Sequence, residues 1–159
     1  MKKWVVLLAL IAISAATGYS QRAAIAERRM AAVMPARMGT DQVAALDDGL
    51  HVALCGAGGP MPAPKASGPC IAVVAGDQLF LVDSGTNGPR NLNPLGYPAG
   101  RVSGVFLSHF HSDHIDGLGE LATFRWATGN EVTHLPVSGP EGVEQVVAGF
   151  TAAYAQDFN

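Results

Sequence analysis

Charge is scarce in this 159-residue chain: charged residues make up 14%, and 10 Lys and Arg face 13 Asp and Glu for a formal net charge of -3. That balance provides no basic surface of the kind that neutralises a phosphate backbone. It disfavours nucleic acid as a partner, although a local metal site can still handle a phosphodiester. Cysteine is limited to Cys55 and Cys70. Without Cys-x-x-Cys spacing, two thiolates argue against a cysteine zinc site. The apolar run Trp4 to Ala16 is short for spanning about 30 Å of hydrocarbon, and no cysteine closely follows it to carry a lipid. No internal repeat or low-complexity tract interrupts the chain.

What is present is 48% hydrophobic residues, enough for one soluble core at this length. Lys2 and Lys3, the apolar run and the small residues Ala16-Thr17-Gly18 read as an export signal over residues 1–18, to the periplasm or the extracellular space. A retained membrane anchor and a buried N-terminal helix are the alternatives, and the membrane is a partner only through such a retained segment. Export implies an oxidising compartment, where Cys55 and Cys70 either form a disulfide or remain two buried thiols, since sequence cannot give their separation. Residues 19–45, rich in Ala, Arg and Met, read as a helical lead-in, and residues 46–159 as the domain proper.

His51 to Cys55 looks like a first strand, followed by a Gly/Pro-rich loop from Gly56 to Gly68. Cys70 to Ala75 and Gln78 to Val82 read as a hairpin about Gly76-Asp77, apolar almost throughout, as in strands buried on both faces. Ser84 to Gly100 is a long loop with at most a short helix near Arg90 to Leu95. Val102 to Ser108 resumes as a strand. Gly117 to Thr128 follows as a helix with Leu118, Leu121, Ala122 and Trp126 on one face. Val132 to Val137 is the next strand expected. Ser138 to Glu141 has capping-box spacing before a helix whose Val143, Val146, Val147, Phe150 and Tyr154 form one stripe, more in keeping with core packing than with a cofactor box.

Between the strand at Val102 and the helix at Gly117 lies His109-Phe110-His111-Ser112-Asp113-His114. Three imidazoles and a carboxylate in six residues, in a chain with only 5 His, are the ligands zinc takes when thiolates are absent. Solvated loop histidines or a partial helix cap would be a bland account of the same residues. In an extended segment His109, His111 and Asp113 project to one side, with His114 swung round by the turn into the helix. Dividing them, with His109 and His111 on one ion and Asp113 and His114 on a second, relieves the crowding. Two ions about 3.5–4 Å apart suit hydrolysis. His51 and His134, with no acidic partner nearby, read as packed or surface residues.

His109-x-His111-x-Asp113-His114 after a hydrophobic strand resembles the signature of the metallo-β-lactamase-fold hydrolases, and Leu79 to Gly85 resembles their preceding strand with its Asp-x-Gly ending. Leu54 to Pro60 and Leu135 to Pro140 are most similar to the ribonuclease Z and arylsulfatase-like branch. The resemblance covers roughly Leu50 to Asn159. It implies an α/β fold of the αββα sandwich type with two Zn2+ ions per complete site. His109 and His111 would hold the first ion, Asp113 and His114 the second, and Asp113 would also handle the proton of the nucleophilic water. Asp83 would orient a ligand imidazole, or else be a turn residue before Gly85.

The further His and Asp ligands of that family lie downstream of the first signature, where this sequence has none. The chain therefore reads as the N-terminal portion of a sandwich, with a C-terminal half or a partner chain to complete it. The expected function is zinc-dependent hydrolysis of an ester, phosphodiester, sulfate or lactam by metal-bound hydroxide. A non-catalytic fragment or interaction protein with an incomplete metal site is the alternative. Charge and export together favour a small-molecule substrate over nucleic acid.

Overall fold

Leu50 to Val82 fold as an antiparallel meander of β1 (Leu50–Gly56), β2 (Cys70–Ala75) and β3 (Gln78–Val82). β4 (Val102–Phe106) then adds parallel to β3, and β5 (Val137–Ser138) parallel to β4, giving a five-stranded sheet in the order β1-β2-β3-β4-β5. α1 (Gly88–Leu92) lies between β3 and β4. α2 (Ser112–Ile115) and α3 (Leu118–Thr128) lie between β4 and β5, and α4 (Val143–Ala153) follows. The computed structural model describes residues 3–4, 17–29, 41–61, 65–129 and 134–157.

Two compact units divide the chain, Met1–Arg37 and Met38–Asn159. In the first, residues 17–20 and 22–29 are helical, and the Ser20 hydroxyl donates to the Thr17 carbonyl at 2.9 Å. The apolar residues 5–16, on which the export reading rests, lie outside the described residues. No helix among the described residues is long and apolar enough to cross a membrane.

In the second unit the pleat sorts the strands into two unlike faces. Ala53, Cys55, Cys70, Ala72, Val74, Leu79, Leu81, Val102 and Val105 form a core with Leu92 of α1 and Leu118 and Leu121 of α3. Each fully buried leucine there contributes roughly 1.5–3 kcal/mol. The opposite face carries Val52, Leu54, Ile71, Val73, Phe80, Val82 and Phe106, in register across four strands. Val52, Leu54 and Phe106 are exposed and the others half-buried. The expectation of strands buried on both faces thus holds for the helix-covered side alone. The hairpin partners bring apolar side chains to the second side as well, and no described element covers it.

Three other expectations change. Of the strand foreseen at Val132 to Val137, residues 132–133 lie outside the described residues, and the described part pairs as a strand only over Val137–Ser138, just after Pro136, which has no N–H to donate. α4 begins at Val143, not at a Ser138 cap: Gly142, at φ 99°, turns the chain into the helix and no side chain caps it. Trp126, placed with Leu118, Leu121 and Ala122 on one helical face, does not share the burial of the two leucines and is 58% exposed. The Val143, Val146 and Phe150 stripe does pack on the core, and the hairpin at Gly76 holds to the residue.

Cys55 and Cys70 form a disulfide with their Cα atoms 5.0 Å apart, which decides between the two readings of the pair. Cys55 occupies the irregularity between Leu54 and Gly56, so the bond closes the base of the Gly/Pro loop. Asn91 of α1 adds to this anchor, donating to the Cys55 carbonyl at 2.6 Å and to Ser67 Oγ at 2.9 Å. A loop of this length closed by a disulfide stabilises the fold by about 3 kcal/mol. Reduction, or the Cys55→Ala/Cys70→Ala pair, is expected to lower stability by that order in denaturant titrations. Coincident oxidised and reduced curves would refute the staple.

Two glycines give opposite expectations. A Cβ on Gly85 would overlap the Asp113 carbonyl oxygen and come within 2.7 Å of the Gly68 backbone. Gly85→Ala should cost about 2 kcal/mol or more, because backbone cannot step aside as a side chain can. Gly149, in the interior of α4, has open space where its Cβ would be. Gly149→Ala should raise stability by up to about 1 kcal/mol. Equal denaturation midpoints for the two variants would show that the contact beneath Asp113 is not tight.

Candidate metal centre

β3 and β4 run parallel, and the cluster sits just past their C-terminal ends, where an α/β sheet places its sites. β3 is followed by Asp83-Ser84-Gly85 and β4 by Leu107-Ser108-His109. The two exits are tied together: Asp83 N–H donates to the Phe106 carbonyl at 2.9 Å, and Ser84 N–H to the His114 carbonyl at 2.9 Å. Gly117 N–H donates back to the Ser84 carbonyl at 2.8 Å. The C-terminal end of α2 is therefore tied to Ser84 of the loop after β3, in addition to the helix's own Asp116 N–H to Ser112 carbonyl bond at 2.8 Å.

That helix alters the expected geometry. His111 is its extended N-cap residue, and Asp113 and His114 lie within the turn, so the alternation that would line up His109, His111 and Asp113 stops at His111. The three rings still gather: His109 and His111 centroids are 4.6 Å apart and His109 and His114 centroids 4.0 Å apart. His114 Nε2 is 3.7 Å from Asp113 Oδ2. Asp113 is buried, His109 and His114 half-buried and His111 exposed. His51 and His134 stay out of the cluster, as expected: His51 Nε2 pairs with the Asp47 carbonyl at 2.8 Å, and His134 is exposed.

Asp83 supports this arrangement from below. Its Oδ1 accepts Ser108 N–H at 2.8 Å, and its Oδ2 accepts the Ser108 hydroxyl at 2.8 Å and faces His114 Nδ1 at 2.8 Å. Burial pushes the Asp83 carboxyl up, but the hydrogen bonds from Ser108 and His114 and the His114 charge outweigh it, holding the group below the ordinary aspartate range. Asp83 also takes φ 60°, a left-handed conformation tolerated by Asp better than by most side chains. Asp83 thus both turns the chain out of β3 and faces the His114 ring. Ser108, which sequence reasoning passed over, is the missed member of the cluster. Its position immediately before the first histidine was the available signal.

Beside Asp113 a cleft of about 520 Å³ opens, bordered by Met61 and Gly68 of the Gly/Pro loop and by Thr86, Asn87, Ser112 and Asp116. The donor chemistry of the cluster, imidazole nitrogen and carboxylate oxygen, suits a borderline divalent ion. The number falls short, since among the described residues no group of three or more His, Cys, Asp or Glu converges on one point. These residues fit part of a metal site.

Comparison with known proteins agrees with this picture. Residues 64–153 match the family model of the metallo-beta-lactamase superfamily, a family that usually binds metal ions. The chain is 36% identical over 110 residues to ribonuclease Z of Mycolicibacterium gilvum, covering 68% of this chain and 38% of that protein. The crystal structure of human tRNase Z, short form, superposes with TM-score 0.59 at 22% identity, over 65% of this chain and 40% of that one. The metallo-beta-lactamase fold protein YhfI of Bacillus subtilis superposes with TM-score 0.54 at 32% identity, over 62% and 41%. The chain thus spans about two fifths of the length of the relatives it matches.

Ribonuclease Z and tRNase Z are nucleases by name, which overturns the expectation of a small-molecule substrate over nucleic acid. That expectation leaned on the export reading and on net charge summed over the chain, whereas at a metal site bound cations are the largest local charges. With a five-stranded sheet, partial αββα architecture and the histidine segment at its strand ends, the chain belongs to the metallo-beta-lactamase superfamily.

Proposed function

We propose that this chain is part of a zinc-dependent phosphodiesterase acting on RNA. The observation that carries the reading is the 36–38% identity to ribonuclease Z over 110 residues. In this reading His109 and His111 hold one Zn2+ and Asp113 and His114 the second, two per complete site, with the remaining donors outside the described cluster. Zinc there would polarise the phosphoryl oxygen and make water nucleophilic at neutral pH. Asp113, buried at the edge of the cleft, takes a proton from the attacking water on its carboxylate oxygen. Asp83 fixes the ring of His114, and Ser112, Thr86 and Asn87 offer hydrogen-bonding groups along the cleft wall to a phosphodiester entering it.

We also propose that the protein works after export, to the periplasm or outside the cell. Lys2, Lys3 and the apolar run support this, as does the Cys55–Cys70 disulfide, a bond rare in reducing compartments. A second reading, an interaction protein with an incomplete metal site, is favoured by one observation: the described donors do not converge in threes.

The full-length protein is expected to cleave RNA and a generic phosphodiester such as bis(p-nitrophenyl) phosphate, and to lose both activities on chelation. Asp113→Ala should lower kcat/KM by about 10²–10⁴-fold with the fold retained by circular dichroism. Turnover of a lactam or a sulfate ester without RNA cleavage would reject the substrate assignment. Full activity of Asp113→Ala would reject its proton-handling role, and zinc bound without turnover of any substrate would favour the interaction reading.

A further inference from the structure

Ser108 Oγ lies within hydrogen-bond distance of three groups at once: Asp83 Oδ2 at 2.8 Å, His109 Nδ1 at 3.0 Å and His114 Nδ1 at 3.4 Å. A hydroxyl has one proton to give and two lone pairs to receive, while an ionised carboxylate only accepts. This limits how the protons can be arranged. If Ser108 gave its proton to His109 Nδ1, its oxygen would face Asp83 Oδ2 at 2.8 Å with no hydrogen between them. That contact is repulsive, so Ser108 donates to Asp83. His109 Nδ1 then meets a lone pair of Oγ, and the contact is a bond only if Nδ1 carries the hydrogen. His114 Nδ1, 2.8 Å from the same Asp83 oxygen, must carry one too.

We propose that Ser108 is a positioning residue that extends the hold of Asp83 to a second imidazole, so that one carboxylate sets the tautomer of His114 directly and of His109 through the serine hydroxyl. Both rings then keep Nε2 unprotonated, with a lone pair free. The Ser108 N–H bond to Asp83 Oδ1 at 2.8 Å fixes the serine itself, so the hydroxyl does not depend on a mobile rotamer alone. His109 and His114, with centroids 4.0 Å apart, were divided between two ions above. The Ser108–Asp83 pair would therefore couple the two half-sites before any ion arrives. This last consequence rests on the metal reading of the cluster, whereas the tautomers do not.

The test is two-bond ¹H–¹⁵N NMR of the histidines in the full chain at about pH 8.5, where an ordinary imidazole is neutral. His109 and His114 are both expected with Nδ1 protonated and Nε2 pyridine-like. Ser108→Ala should shift His109 toward the Nε2–H form that a free histidine favours in water, leaving His114 unchanged, while Ser108→Thr should restore the Nδ1–H form of His109. A wild-type His109 in the Nε2–H form overturns the proposal without any variant. So does a His109 tautomer indifferent to Ser108→Ala. Calorimetric titration with Zn2+ supplies a separate readout: Ser108→Ala should bind about tenfold or more weakly, with recovery in Ser108→Thr. If the wild-type chain takes up no Zn2+, the metal reading fails, and the NMR result still judges Ser108 on its own.

Discussion

The carboxylate of Asp83 gathers donors from two places in the chain that have no other reason to meet. It stands at the end of β3, and its oxygens receive the backbone and hydroxyl of Ser108, at the end of β4, and face His114 of α2. Each of these bonds is charge-assisted and partly shielded from water, the condition in which a hydrogen bond contributes most. The left-handed backbone at Asp83 costs something, of order 1–3 kcal/mol. It is sustained because the Asp83 N–H bonds the Phe106 carbonyl while Ser108 and His114 hold the carboxylate. The parallel pairing of β3 and β4 brings the two strand ends together, and Asp83 turns that proximity into an oriented cluster.

Parts of this were legible in sequence because they rest on local signals. The β2–β3 hairpin declares itself by two apolar runs about Gly76-Asp77, and the α4 stripe by its period. The histidine segment announces its chemistry by composition. What could not be read depends on contacts between distant residues. α2 has no apolar period, and its C-terminal end is tied to Ser84, which bonds the His114 carbonyl and the Gly117 N–H. Ser108 acquires its role from a carboxylate 25 positions earlier in the chain. The disulfide needed a separation between Cys55 and Cys70 that only the β1–β2 register supplies. The partner class was misjudged for another reason: it was inferred from total charge, which describes the average surface and not the field at one site, and from an N-terminal segment that says nothing of what a site binds.

The sheet is asymmetric in what covers it. On one side α1 and α3 seal Leu79, Leu81, Val102 and Val105; on the other, Val52, Leu54 and Phe106 meet solvent among the described residues. Phe80 and Phe106, with ring centroids 5.8 Å apart, shield one another there. A contiguous apolar surface of this kind favours association.

Below the cluster, three stretches of backbone touch with no side chains between them. Gly68 and Gly85 each face the Asp113 carbonyl, and a Cβ on Gly117 would come within 2.5 Å of the Gly85 carbonyl oxygen. Asp113 therefore inherits its position from the course of the main chain and not from the fit of surrounding side chains. Such a seat is indifferent to most changes in the core, since repacking leucines and valines does not move it. Side chains that can change without disturbing this floor lie at the rim of the cleft, on the stapled loop around Met61 and at Thr86 and Asn87.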